Sequence, residues 1–159
     1  MATIKHTDEM ASRQKMLIML ADDDQDDRSL FVEAFHQVRN MNTELMVFED
    51  GIALLDKLQK NYPELPHIIF LDLNMPLKSG MEVLKELRQE SKFSGISVAI
   101  YSTSNHQRDV EDAFSAGANV YIHKPNNFAN LQKVLKHVLK MNWQFHLSGM
   151  NKETFFLNV

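Results

Sequence analysis

The sequence predicts an α/β protein: a doubly wound, five-stranded parallel sheet with helices on both faces. Three observations predict it. Apolar runs of strand length recur near residues 16–21, 45–48, 67–72, 96–101 and 119–123, with helix-period segments between them. Five βα units in series imply parallel strands, because a crossover helix returns the chain to the same end of the sheet. Met16-Leu-Ile-Met-Leu-Ala21 and Ile68-Ile-Phe-Leu71 carry no polar residue, which marks strands covered on both faces.

Taken in order, residues 1–15 are polar and mixed in charge, and read as a flexible lead rather than a secretory signal. The first strand runs into Asp22-Asp23-Asp24. A helix from near Asp26 places Leu30, Phe31, Ala34, Phe35 and Val38 on one face. After the Asp50-Gly51 turn, Leu54, Leu55 and Leu58 mark the second helix. The third strand delivers Asp72 to its carboxyl end, and Pro76 stops pairing just beyond. A third helix runs from Ser79 through Val83, Leu84 and Leu87. The fourth strand ends at Ser102. A fourth helix holds Val110, Ala113 and Phe114 and stops at Gly117. The fifth strand, Val120-Tyr-Ile-His-Lys-Pro125, ends in Lys124. The fifth helix, from about Phe128, holds Leu131, Val134, Leu135, Val138 and Leu139. Residues 16–141 thus form one domain and 142–159 a tail of unknown role. In the tail, Trp143, Phe145 and Leu147 alternate with polar residues, as do Phe155, Leu157 and Val159, which is a weak hairpin signal. A tail folded over its own domain is the preferred reading, and a partner-binding strand pair is the alternative.

Open α/β sheets bind ligands beyond the carboxyl ends of their strands. Asp22, Asp23, Asp72, Ser102 and Lys124 all fall there. A buried carboxylate is costly unless a cation or donor meets it. A carboxylate can attack phosphorus and form an acyl phosphate, and phosphoryl transfer otherwise needs positioning and charge neutralisation. Mg²⁺ takes one or two carboxylates and keeps several waters. Asp23 and Asp72 are the expected direct ligands, with Asp22 acting through water. Lys124 and the Ser102 hydroxyl are expected to meet phosphoryl oxygens. Asp24, Asp26 and Asp27 read as turn or helix-cap residues.

Composition narrows the field. The net charge of −4 argues against nucleic acid or an anionic membrane as partner. With no cysteine among 159 residues, disulfides and thiol chemistry are excluded, and a reducing, cytoplasmic compartment fits. No apolar run is long enough to span a bilayer. The seven histidines show no ligand spacing, and the ten methionines read as core filler.

These residues resemble the receiver domains of two-component response regulators over residues 16–141. The matching motifs are Leu20-Ala-Asp-Asp-Asp-Gln-Asp-Asp27, Leu71-Asp-Leu-Asn-Met-Pro76, Ser102-Thr103 and Lys124-Pro125. The resemblance implies a flavodoxin-like strand order 2-1-3-4-5. It implies that Asp72 is phosphorylated, that Asp22, Asp23, Asp72 and the Asn74 carbonyl serve a Mg²⁺ site, and that Ser102 and Tyr121 form the switch. It also implies Lys124 as the lysine of the site, preceding a cis proline. Thr103-Ser104 and the acidic loop look most like small regulators that partner bacterial phytochrome-type histidine kinases. Such a protein is a signalling phosphoacceptor rather than an enzyme, catalysing only its own Mg²⁺-dependent phosphorylation and dephosphorylation. Asp24, where similar members often carry Asn, either tightens metal binding or caps the helix.

About 18 residues follow the last helix, too few for a helix-turn-helix module, so output through protein contacts is expected. A dehalogenase-type phosphatase needs a second acid two residues after the nucleophile, and Asn74 cannot serve. A flavin carrier needs a Ser/Thr/Gly-rich phosphate loop where this chain has three aspartates. A degenerate scaffold is disfavoured by the intact Asp23, Asp72, Ser102 and Lys124. Finally, Asp109, Glu111 and Asp112 on the fourth helix face Lys133, Lys136 and Lys140 on the fifth in sign. A homodimer through these two helices is the expectation.

Overall fold

The computed structural model describes residues 15–40, 42–141 and 156–157. The elements are β1 (Met16–Ala21), α1 (Gln25–Val38), β2 (Thr43–Phe48), α2 (Gly51–Asn61), β3 (Ile68–Leu71), α3 (Gly80–Gln89), β4 (Ser97–Ser102), α4 (Gln107–Ser115), β5 (Val120–His123), α5 (Phe128–Lys140) and β6 (Phe156–Leu157). All strand pairs are parallel, in the order β2-β1-β3-β4-β5-β6. The doubly wound sheet and its 2-1-3-4-5 order are as expected, but a sixth strand extends the sheet beyond the five expected. Its residues fall in the tail stretch that alternates at Phe155, Leu157 and Val159, but the pairing is with β5.

Alternation along each strand divides the core in two. Met19, Ala21, Ile69, Leu71, Val98 and Ile100 point to one face, where they meet Leu54 and Leu58 of α2, Val83, Leu84 and Leu87 of α3, and Ala113 of α4. Ile18, Leu20, Ile68, Phe70 and Ala99 point to the other, where they meet Phe31, Ala34 and Phe35 of α1 and Leu131, Val134, Leu135 and Val138 of α5. A fully buried side chain of this size contributes about 1.5–3 kcal/mol. Helices on both faces leave no wet face on β1, β3 or β4, hence their unbroken apolar runs. Of the methionines, Met19 and Met75 are buried, while His36 and His137 lie on the surface.

Capping fixes where each helix starts, and so where each loop ends. Asp24, Asp50, Ser79 and Asn127 accept from the backbone N–H three residues on. Asp24 is thus the cap of α1. The α4 terminus closes as a Schellman motif. Ala118 N donates to the Ala113 carbonyl (3.0 Å) and Gly117 N to that of Phe114 (3.1 Å), with Gly117 at φ 98°.

Phe156 pairs with Tyr121 and Leu157 with Ile122, so this piece of the tail lies against β5. The other arm of the expected hairpin, Trp143 to Leu147, lies outside the described residues, as do residues 1–14. The cis peptide bond among the described residues is Tyr62–Pro63, not Lys124–Pro125 as the resemblance implied. Proline tolerates either isomer, with trans favoured by about 0.5–1 kcal/mol, so a Lys-Pro pair does not dictate one.

Gly80 seats the third strand's loop. Its N–H donates to the Leu73 carbonyl at 2.9 Å, and a Cβ there would overlap the Asp72 carbonyl oxygen. Gly80→Ala should therefore lower stability by about 1–3 kcal/mol in urea unfolding. Gly95→Ala, whose Cβ meets nothing within 4 Å, should change it by less than about 0.5 kcal/mol. Equal effects would contradict this reading of the close approach.

Candidate functional site

The acidic ends of β1 and β3 are brought side by side by the ladder itself. Asp22 N donates to the Phe48 carbonyl (3.1 Å) and Asp72 N to the Ala21 carbonyl (3.0 Å), so both backbones stay in the sheet. Asp22 is fully buried and Asp72 nearly so, whereas Asp23 is exposed. Carboxylate oxygens of Asp22, Asp23 and Asp72 all lie within 4.8 Å of one another. Three hard oxygen donors, one open to solvent, fit a hydrated divalent cation.

Lys124 arrives from the end of β5. Its N–H donates to the Ser102 carbonyl at 2.8 Å, which carries the β4–β5 ladder one step past Ser102 and His123. Its ammonium donates to Asp22 Oδ2 (2.9 Å), Asp27 Oδ2 (2.9 Å) and Asp72 Oδ2 (3.3 Å), and lies 5.2 Å from the Tyr101 ring centroid. Burial alone would make Lys124 more acidic, but its bonds to Asp22 and Asp27 and the charge of Asp72 outweigh that and hold it firmly protonated. Asp72 goes the other way. Burial raises its carboxyl from the ordinary 3.8 to about 6, with Asp22 adding to the rise and Lys124 and the Asn74 N–H opposing it. Asn74 N donates to Asp72 Oδ1 at 3.2 Å.

Ser102, Ser104 and Tyr121 form one connected group. Ser102 Oγ accepts from Ser104 N (3.1 Å), and the Tyr121 hydroxyl donates to the Ser104 carbonyl (2.8 Å). Tyr121 is fully buried, with its ring 5.7 Å from that of Phe156. Thr103 is exposed, and its carbonyl lies 3.0 Å from His123 Nε2.

The structure therefore brings Asp22, Asp23, Asp72 and Lys124 into one cluster, with Asn74 bonded to it and Ser102 on the neighbouring strand end. Asp27 departs from the expected role of a turn or cap residue, because its carboxylate binds the Lys124 ammonium. It stands four residues before Phe31 on the face that α1 turns toward the sheet, and that spacing was the available signal. Asp26 remains exposed.

A doubly wound parallel sheet that gathers an acid cluster fit for a divalent cation and a buried lysine at its carboxyl edge defines a flavodoxin-like α/β protein with a charged site. Residues 18–136 match the response regulator receiver domain family, and the chain belongs to it. It is similar to the response regulator Rcp1 of Synechocystis sp., 32% identical over 132 residues covering 80% of this chain and 88% of Rcp1. Among solved structures it resembles a phosphorylated cyanobacterial phytochrome response regulator, RcpA (29% identity, TM-score 0.71, 78% of this chain and 91% of that one). It also resembles a Mn²⁺-bound form of Rcp1 (32% identity, TM-score 0.69, 77% and 91%). The protein is thus a response regulator of the two-component signalling class. Among the described residues no helix is long and apolar enough to cross a membrane.

The raised carboxyl of Asp72 has a consequence for stability. Between pH values near 4 and 6 the folded state holds a proton that the unfolded state has lost, so this group's contribution worsens as pH rises through that window. Asp72→Asn should stabilise the cation-free protein by about 1–3 kcal/mol at pH 7.5. The gain should shrink toward zero near pH 4. Urea unfolding in chelator at several pH values checks this; a gain that grows with acidity contradicts it.

Proposed function

We propose that Asp72 accepts a phosphoryl group from a sensor histidine kinase and that the protein passes the signal on through protein contacts. The observation that carries this reading is Asp72 at the end of the central strand β3, inside the acid cluster and 3.3 Å from the Lys124 ammonium. A carboxylate oxygen of Asp72 attacks phosphorus, the P–N bond to the donor imidazole breaks, and the released imidazole nitrogen takes up a proton. The product is an acyl phosphate. Asp22, Asp23, Asp72 and the Asn74 carbonyl would hold Mg²⁺, which when bound neutralises charge on the transferring oxygens. Lys124 pairs with one phosphoryl oxygen and the Ser102 hydroxyl donates to another. Ser104 links Ser102 to Tyr121, which supports a switch running from hydroxyl to aromatic ring.

On this reading residues 16–141 are the receiver domain, 1–15 a lead and 142–159 a tail. The protein is cytoplasmic, and its chemistry is limited to its own Mg²⁺-dependent phosphorylation and dephosphorylation. The likeness to phytochrome response regulators supports a phytochrome-type kinase as donor.

Incubation with acetyl phosphate and Mg²⁺ should add one phosphoryl mass, and Asp72→Asn should abolish it. Asp23→Asn should weaken Mg²⁺ binding far more than Asp24→Asn, since Asp24 spends its side chain on the Asp27 N–H (2.9 Å). Labelling of the Asp72→Asn chain at a single site would sink the assignment.

A homodimer through α4 and α5 belongs to the same proposal. Lys133, Lys136 and Lys140 are exposed along α5, and Glu111 and Asp112 along α4. Asp109 is partly engaged already, accepting from Ser104 Oγ. Exposed ion pairs contribute only about 0–1 kcal/mol each, so the association should be weak, salt-sensitive and strengthened by phosphorylation. Sedimentation of wild type against Lys136→Glu, with and without beryllofluoride, checks it; a dimer indifferent to Lys136→Glu places the interface elsewhere.

A further inference from the structure

Lys124 has three N–H donors, and three carboxylates take them. Two of these, Asp22 and Asp72, also belong to the acid cluster that fits a divalent cation; Asp27 does not. When a cation draws on Asp22 and Asp72, Asp27 is the one partner whose charge is spent on Lys124 alone. Its distance of 2.9 Å equals that of Asp22, and Asp72 sits farther out at 3.3 Å. Asp27 reaches the ammonium from the first turn of α1, and its position there is fixed by its own N–H donating to the Asp24 cap at 2.9 Å. Its side chain is 35% exposed against 8% for Lys124, so it holds the ammonium from the solvent side.

Phosphorylation of Asp72 turns one carboxylate oxygen into a bridging oxygen and places a dianionic group beyond it. Lys124 must then leave the resting seat and turn toward the new oxygens. Asp22 is in the strand end beside Asp72, so it can share the lysine with the phosphoryl group. Asp27 pulls from the other element. We propose that Asp27 is a positioning residue for Lys124: it holds the ammonium toward α1 in the resting protein and opposes its transfer to the phosphoryl group on Asp72. The inference rests on Asp72 as the acceptor. Asp27 sets how far the equilibrium lies toward the resting arrangement, and it does so through charge, because an amide in its place retains the oxygen but not the negative charge.

The test uses the full chain, beryllofluoride as the phosphoryl mimic and Mg²⁺, with amide shifts of residues 102–104 as the readout. Asp27→Asn should bind beryllofluoride about three- to fivefold more tightly than wild type, the scale of one partly exposed ion pair. Its affinity for Mg²⁺ alone should be unchanged or weaker, since no cation ligand is added and one nearby negative charge is lost. Asp27→Glu should return beryllofluoride binding to the wild-type value. A merely structural role would lower the melting temperature and weaken both affinities together. Asp27→Ser, which also removes the charge, should behave as Asp27→Asn does and serves if that variant does not fold. Beryllofluoride binding that is unchanged or weaker in both uncharged variants, with wild type binding normally, overturns the inference. Failure of wild type itself to bind beryllofluoride or gain a phosphoryl mass overturns instead the assignment of Asp72 as acceptor, and the inference with it.

Discussion

One ammonium is set against too many carboxylates, and the rest of the site follows from that imbalance. Lys124 contacts Asp22, Asp27 and Asp72, and Asp23 stands beside them in the acid cluster. Isolated buried charges are not sustainable in a protein interior, and a buried pair survives only when its remaining hydrogen-bonding capacity is met. Lys124 satisfies this completely, because each donor has an acceptor. The acids do not, and the deficit collects on Asp72, whose carboxyl is pushed up to about 6 by its burial first and by Asp22 after it. The surplus negative charge fits the cluster for a divalent cation.

This cluster exists because of the sheet. Asp22, Asp72 and Lys124 are far apart in the chain, yet each is the first residue past its strand, and parallel strands end together. Their backbone N–H groups remain bonded to Phe48, Ala21 and Ser102, so the charged groups stand on rigid ladder rather than on loop. The apolar runs behind them are buried from both faces by α1 and α5 on one side and α2, α3 and α4 on the other. Packing energy from that core therefore holds charges that would otherwise move apart. The close seat of Gly80 under the Asp72 carbonyl belongs to the same logic, since it lets α3 begin just beyond the loop that follows β3.

How much of this was legible depends on how locally each feature is encoded. Asp72 was readable because an unbroken apolar strand ends at a charge, and Lys124 because the short buried run Val120–Ile122 leads to a charge followed by proline. The caps at Asp24 and Ser79 were readable because capping is a relation over three residues. Asp27 was not recognised, although its spacing from Phe31, Ala34 and Phe35 puts it on the inward stripe; which inward polar residue meets which partner depends on the rotation of α1 against the sheet. The sixth strand was half legible. The alternation at Phe155, Leu157 and Val159 marks the stretch as extended but not its partner; Phe156 and Leu157 contact opposite faces of the core, and the open edge of β5 gives them their place.

That edge also bears on how a signal can leave the site. Ser102 is joined to Tyr121 through Ser104, and the Tyr121 ring lies against that of Phe156. A buried aromatic ring cannot shift without its neighbours repacking, because interiors are close-packed and respond in discrete steps. Burial raises the Tyr121 hydroxyl above the ordinary range, and the Asp109 and Asp72 charges within its reach add to the rise, so both packing and charge couple this ring to the site. The chain thus uses two media. Charge dominates among Lys124, Asp22 and Asp72, which are buried, and close packing dominates around Tyr121, whose ring meets Phe156 of β6.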